Sequence, residues 1–270
     1  MTTLPTLFVS HGSPLHARGG SRASEGWAAL ARALPRPEAV LIASAHWETE
    51  MPMVASGARP ETIHDFGGFP PDLYQIRYAA PGAPQIAQHA VELLKAAGMT
   101  ASTNGCRGLD HGAWVPLRHM FPQAGVPVVQ LALQPALGNA HHLRLGAALA
   151  PLSREGVLIV GSGHITHNLQ EVMQLLRQGV QFGQETAAAP YVEEFRQWVE
   201  RALRSGSFDD LAAWDERAPH ARRAHPSAEH FLPLLVARAA AGPAAAVERI
   251  DLGVEAQVLA MDAYVFRAAP

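Results

Sequence analysis

The chain has one cysteine, Cys106, in 270 residues. A lone thiol cannot close an intrachain disulfide or build a cysteine-based zinc site, and it fits a reducing compartment. Excess positive charge is also missing. Lys and Arg total 21 against 24 Asp and Glu, a formal net charge of -3, so no global basic field favours nucleic acid or an anionic membrane. No segment approaches 18 uninterrupted apolar residues, and Met1 to Ser10 has no basic stretch followed by a long apolar run. Neither a transmembrane span nor a signal peptide is expected, and the chain reads as a soluble cytoplasmic protein.

Several catalytic signatures are absent as well. There is no C-x-x-C, no EF-hand loop and no H-E-x-x-H. Ser13 in His-Gly-Ser-Pro does not form the G-x-S-x-G nucleophile elbow. Gly161-Ser162-Gly163 is too short for a phosphate loop, and no Gly-Lys-Ser/Thr follows it. With an acidic balance, Trp27, Trp47, Trp114, Trp198 and Trp214 read as core or pocket packing rather than a stacking platform for nucleic acid. No heptad pattern or isolated apolar strip is visible, which leaves the oligomeric state open.

What the chain has in quantity is apolar material and histidine. It is 48% hydrophobic and 17% charged, enough for a sizeable core. No internal repeat or linker divides it, so residues 1–270 are read as one domain. Short apolar runs at Leu4–Ser10, Ala39–Ala45, Val126–Leu133 and Val157–Val160 read as buried strands. Helices are expected from a cap at Ser24 to about Leu34, over Pro84–Ala97, over Ala140–Leu149 with Asn139 as cap, over Thr186–Leu203, and over Pro226–Arg238. Ala246–Asp251 and Gln257–Val265 look like closing strands. Alternating strands and helices imply an α/β fold: a central mixed, largely parallel sheet with helices on both faces and antiparallel edge strands at the C-terminal end.

The 14 histidines gain meaning from position. Leu7-Phe8-Val9-Ser10 runs directly into His11, and Val40 to Ala45 into His46. Val157 to Val160 leads through Gly161-Ser162-Gly163 to His164 and His167. In open α/β sheets ligands bind beyond the carboxyl ends of the strands, so adjacent parallel strands would bring these histidines to one crevice. Each alone reads more readily as a satisfied polar residue at a strand end; repetition at three ends favours a shared site. His111 follows Asp110, which can accept its ring N–H or cap a helix. His230 stands early in an expected helix, with His225 just upstream. His64 sits in the Gly- and Pro-rich stretch Thr62–Pro70, long enough to shape a pocket wall. Neutral imidazoles suit iron, zinc, copper or nickel. His11, His46 and His230 can supply three ligands of a catalytic metal, with His167 as a fourth ligand or a base and His111 beside a bound substrate oxygen.

These segments together resemble the class III extradiol ring-cleavage dioxygenases, in the DOPA 4,5-dioxygenase-like branch. The matching pieces are His11–Pro14 (HGSP), Ser44–Trp47 (SAHW), Thr62–Pro70 (TIHDFGGFP), and the Leu-Tyr-x-x-x-Tyr-x-Ala-Pro-Gly of Leu73–Gly82. They continue with Gly108–Trp114 (GLDHGAW), Gly161–Leu169 (GSGHITHNL) and Pro226–Leu234 (PSAEHFLPL). They follow the family's order over most of the chain. The resemblance implies an α/β sandwich around a mixed sheet, and a metal held by His11, His46 and His230. Catechol dioxygenases of the same class have a glutamate in place of His230. It further implies an active-site His167 that can ligate when substrate is absent, a second active-site His111, and pocket positions for His225 and His64. The implied reaction inserts O2 into a catechol, opening the ring beside its two hydroxyls to give a semialdehyde. Fe(II) would be needed for activity, and Zn(II) is possible as a bound metal. The same histidines can also serve a zinc-dependent hydrolase, or a metal-binding module without turnover.

Overall fold

The computed structural model describes residues 3–180, 183 and 185–268. Ten strands occur among them: β1 (Thr6–Ser10), β2 (Ala39–Glu48), β3 (Met53–Ala55), β4 (Ser102–Asn104), β5 (Val128–Leu133), β6 (Val157–Gly163), β7 (Ala246–Ile250), β8 (Val254–Glu255), β9 (Leu259–Ala260) and β10 (Ala263–Arg267). Eight form one sheet in the order β4-β3-β5-β2-β6-β1-β10-β7, while β8 and β9 pair separately. The central four, β5-β2-β6-β1, are parallel. β10 joins β1 antiparallel and β7 joins β10 the same way. On the other side β3 is antiparallel to β5 and parallel to β4. The sheet is mixed, with its parallel strands in the middle.

The apolar runs fill both faces because a strand's side chains alternate. Leu7, Val9, Val40, Ile42, Leu158 and Val160 face one core, with Trp27 of the helix Arg22–Arg32 and Trp114 of the helix His111–Met120. Phe8, Leu41, Ala43, Val157 and Ile159 face the other. There they meet Leu145 of the helix Gly138–Leu149, Phe195 of the helix Pro190–Ser205 and Leu235 of the helix Leu232–Ala241. Trp27 and Trp114 are fully buried. Truncating such a ring to alanine typically costs roughly 3–5 kcal/mol, so the helix carrying His111 is firmly seated. No helix among the described residues is long and apolar enough to cross a membrane.

Several boundaries differ from the sequence expectation, each for a local reason. Ser21, not Ser24, caps the first helix, and the two serines form a reciprocal capping box. Asn139 lies inside its helix and turns its amide to Trp214 Nε1, Ala212 O and Asp215. Pro190 at the helix start places the expected 186–203 helix at Pro190–Ser205. The stretch 257–265 is broken because Ala256 and Gln257 take φ of 46° and 59°, folding Leu259–Ala260 back on Val254–Glu255 before β10 begins.

The largest change is at residues 226–231, which are turns; the helix starts only at Leu232. The His230 carbonyl accepts the His164 N–H at 2.8 Å, so this segment is drawn down onto the end of β6. A Cβ at Gly163 would collide with that carbonyl, and one at Gly161 with the carbonyl of Pro233. Two glycines in one strand thus let a second backbone lie against it and deliver His230 to the same place as His11.

Candidate metal centre

Because β1, β2 and β6 are parallel neighbours, their carboxyl ends meet, and the histidines there meet with them. His11 follows β1. His46 lies near the end of β2, inside the irregular stretch between Ala43 and Glu48 where the register against β5 shifts. His164 follows β6 directly. The ring centroids of His11, His46 and His230 form a near-equilateral triangle, 4.9 Å for His11–His46, 4.9 Å for His46–His230 and 5.3 Å for His11–His230. His111 sits 4.1 Å from His46, and His167 stacks on His230 at 3.4 Å.

Hydrogen bonds decide which ring nitrogens carry protons. The Ser162 hydroxyl donates to the Gly112 carbonyl, so toward His11 Nδ1, 3.0 Å away, it accepts. His11 therefore holds its proton on Nδ1 and leaves Nε2 as a lone pair. His230 Nδ1 lies 2.8 Å from Glu229 Oε1 and donates to it, while the buried His230 Nε2 has no partner. His46 turns Nδ1 toward Asp65 Oδ2 at 3.6 Å, and its Nε2 approaches His11 Nε2 at 3.0 Å. Two facing lone pairs at that separation repel unless a proton or a cation lies between them. Outer partners that fix the tautomer this way are typical of metal-ligating histidines. The cluster fits a metal ion on this ground.

Electrostatics agree. Burial, then the neighbouring histidines, push His11, His164 and His230 well below the usual histidine range. Burial and then His111 take His46 down to about 4, and burial and then His225 take His167 down to about 3. Neutral imidazoles are the form that binds metal. Burial pushes Asp65 up, but the contacts with His111 and the nearby His46 outweigh it and hold the carboxyl at about 2. Asp65 is therefore ionised beside His111, with Oδ1 accepting the His111 backbone N–H at 2.9 Å and lying 3.0 Å from Nδ1 without an aligned hydrogen bond.

A fully buried carboxylate fixes the frame. Asp110 accepts from Ser44 Oγ at 2.6 Å, Arg107 Nη2 at 2.7 Å, Gln130 Nε2 and the Ala113 N–H. It caps the helix that begins with His111, and it holds Ser44 two residues before His46. Arg107 also donates to the His46 carbonyl at 3.1 Å. The histidines floor a cavity of about 850 Å3, with walls from Phe66, Gly67, Gly68 and Phe69 on one side and Leu169, Met173 and Leu176 on the other.

Residues 5–266 match the family described as the catalytic LigB subunit of aromatic ring-opening dioxygenase. The chain belongs to this family. It is 41% identical over 266 residues to a Beta vulgaris protein named 4,5-DOPA dioxygenase extradiol, across 97% of this chain and 96% of that protein. A protein of the same name from Escherichia coli K12 is 36% identical over 236 residues, covering 87% of this chain and 84% of its own length. A crystal structure of an uncharacterized protein from Escherichia coli K12 superposes with a TM-score of 0.76 at 28% identity, over 97% of this chain and 99% of the other. The LigB-family chain is thus an extradiol dioxygenase, a metal-dependent class of enzyme, and its histidine cluster can bind the metal.

Within this LigB-family fold, the expected residues divide. His11, His46, His111, His167 and His230 all line the cavity. The possible ligand atoms fall into two groups, each within 4.8 Å: His11 with His46 and His111, and His167 with Glu229 and His230. The triad expected from sequence takes two members from the first group and one from the second. His64 and His225, expected at the pocket, do not line it. His64 donates from Nε2 to the Ile76 carbonyl at 3.0 Å and backs the wall behind Phe66. His225 is buried against Phe195, Trp214 and Phe231, with Nε2 donating to the Ile165 carbonyl at 2.8 Å.

Four residues of the site were given no role from sequence. Asp65 and Glu229 orient histidines, and Ser162 fixes the His11 tautomer. His164 accepts the Gly12 N–H on Nε2 at 3.0 Å, holding the chain beside His11. His164 follows directly on a recognisable strand end, which is a usable signal. Glu229 adjoins His230, but adjacency alone says nothing of a ring-nitrogen contact.

Buried neutral histidines give the fold a pH dependence. His142 donates from Nδ1 to the Gly138 carbonyl and must accept the Gln134 N–H on Nε2, so protonation breaks a bond. Burial pushes both His142 and His225 down to about 4 from an unfolded value near 6.5. Above pH 6.5 neither state is protonated and nothing changes. Below it the unfolded chain takes up protons that the folded chain refuses, so stability falls until about pH 4. At pH 5 each group contributes a loss of about 2 kcal/mol. Urea melts of metal-stripped protein at pH 7.5 and pH 5 are expected to show that loss; equal midpoints would refute it.

Proposed function

We propose that this dioxygenase opens the ring of a DOPA-like catechol beside its two hydroxyls, giving a semialdehyde, with Fe(II) held by His11, His46 and His230. The observation that supports this most is the outward placement of three Nδ1 atoms, toward Ser162, Asp65 and Glu229, which leaves the Nε2 of each ring available to a metal. When bound, iron supplies the electron path between catechol and dioxygen and the Lewis acidity that eases loss of a hydroxyl proton.

The chain's own residues do the rest. Phe66, Phe69, Leu169 and Met173 enclose a flat aromatic ring and exclude water. His167 lines the cavity, stacked on His230, and accepts a proton from a catechol hydroxyl. His111 sets Nδ1 against Asp65, which orients the ring beside the oxygen that gains a proton on ring opening. The soluble, cytoplasmic setting expected from the sequence matches a small-molecule substrate and requires no nucleic-acid or membrane partner.

The test is oxygen uptake with DOPA, using protein stripped of metal and reloaded under nitrogen with Fe(II) or Zn(II). Uptake with a new visible absorbance is expected in the iron form only, because zinc has no redox step. No uptake over a panel of catechols, with iron content confirmed, would abandon this reading in favour of a hydrolase.

A further inference from the structure

The cavity carries charged side chains of one sign besides its histidines. Asp65 and Glu229 line it, and no lysine or arginine does so among the described residues. Arg177, at the end of the helix Leu169–Arg177, is exposed and stays outside the cavity lining, and the arginines nearest the other walls are engaged. Arg18 pairs with Asp72 at 2.6 Å, Arg107 with Asp110 at 2.7 Å and Arg223 with Glu171 at 2.7 Å. Arg77 donates to the carbonyls of Tyr74 and Ile76. A substrate carboxylate entering this cavity meets no counter-charge from a side chain of that kind.

The two carboxylates are not equivalent. Asp65 has both oxygens directed at histidines, Oδ1 at His111 and Oδ2 at His46. Glu229 uses Oε1 for both of its contacts, accepting from His230 Nδ1 at 2.8 Å and from Ser227 Oγ at 3.1 Å. Its Oε2 has no partner among the described residues, although the side chain is only 17% exposed. Leu169, Met173, Leu176 and Leu259 line the same cavity. Glu229 lines the cavity and its Oε2 is not sealed in the core, so this oxygen is free to meet a cation carried by the ligand.

The geometry points to Glu229 as a specificity-determining residue: its Oε2 receives the ammonium group on the side chain of the catechol. This rests on the ring-opening reading and narrows it. The substrate class is a catechol bearing a protonated amine, whether an amino acid or the corresponding decarboxylated amine. An α-carboxylate adds nothing to this recognition. A side chain that ends in a carboxylate and has no amine is disfavoured by the charge of Glu229. A charge-assisted hydrogen bond of this kind corresponds to about a tenfold to hundredfold difference in affinity.

The experiment compares three 4-substituted catechols on the iron-loaded protein: 4-(2-aminoethyl)catechol, 4-propylcatechol and 3-(3,4-dihydroxyphenyl)propionate. The amine is expected to exceed the neutral compound by about tenfold or more in kcat/KM, mainly through KM, with the propionate lowest. In Glu229→Gln the side-chain amide oxygen can still accept from His230 Nδ1, but the charge is gone. The ratio of amine to neutral substrate should collapse toward one, with metal per chain measured alongside. Equal KM for amine and propionate in the unaltered protein would overturn the assignment. So would an amine preference that survives in a metal-replete Glu229→Gln. Binding of the same compounds under nitrogen, followed by protein fluorescence, keeps the test independent of turnover. If Glu229→Gln loses its metal, or if no catechol is opened, the binding order in the unaltered protein still decides the role of Glu229. Absence of turnover with confirmed iron counts against the ring-opening reading alone.

Discussion

His46→Ala is expected to lose bound metal and ring-opening activity together. The His46 ring stands 4.9 Å from both His11 and His230 and closes their triangle. Without it only two of the three proposed nitrogens remain, from elements that owe their approach to the fold and not to each other. Removing an outer partner of a ligating histidine typically costs roughly 10–100-fold in metal affinity or activity, and loss of the ligand itself should exceed that. The side chain is 22% exposed, so its removal opens no large core void. The metal-free variant should therefore melt near the metal-free parent, which separates loss of the site from loss of the fold. Metal analysis after reloading is the deciding measurement. Full stoichiometry in His46→Ala would remove this histidine from the ligand set and point to the alternative grouping of His167, Glu229 and His230.

His111→Ala is expected to do the opposite: keep its metal and lose turnover. His111 lies close to His46, but its Nδ1 faces ionised Asp65. A histidine paired with a carboxylate in this way is suited to hold and release a proton, a role that contributes typically 10²–10⁴-fold to rate. Turnover should fall by about that range at unchanged metal content. Asp65→Asn should give a smaller fall, because the histidine remains but the carboxylate that orients it is gone. Unchanged turnover in His111→Ala would assign this residue to structure.

Much of this site was legible in the sequence for one physical reason. A buried parallel strand is written as an unbroken apolar run, and a polar residue at its carboxyl end has nowhere to go but the crevice above the sheet. His11, His46 and His164 are displayed in that way. Irregular segments have no such period. In Thr62–Pro70 the sequence drew attention to His64, but the loop turns Asp65 inward and leaves His64 behind Phe66. At 225–230 the expected pocket residue His225 goes to the core, while Glu229 reaches the cavity. The helix Leu169–Arg177 went unread because its apolar side does not serve the main core. Val172 is its buried residue, and Leu169, Met173 and Leu176 face the cavity. The helix expected from Pro226 failed for a tertiary reason, since the carbonyl of His230 is committed to β6.

The placement of β1 bears on how the chain reaches this state. Strand β1 comes from the first ten residues, yet it lies between β6, residues 157–163, and β10, residues 263–267. Both of its neighbours are far away along the chain, so loop-closure entropy must be overcome before either pairing forms, and such topologies fold slowly. During synthesis the Leu7–Val9 segment is made before either of its partner strands and must wait for both. Its apolar edge stays open until the C-terminal strand has left the ribosome, the interval in which unpaired strands are most prone to aggregate. His11 follows directly on this strand, so the pocket assembles late, as the sheet closes.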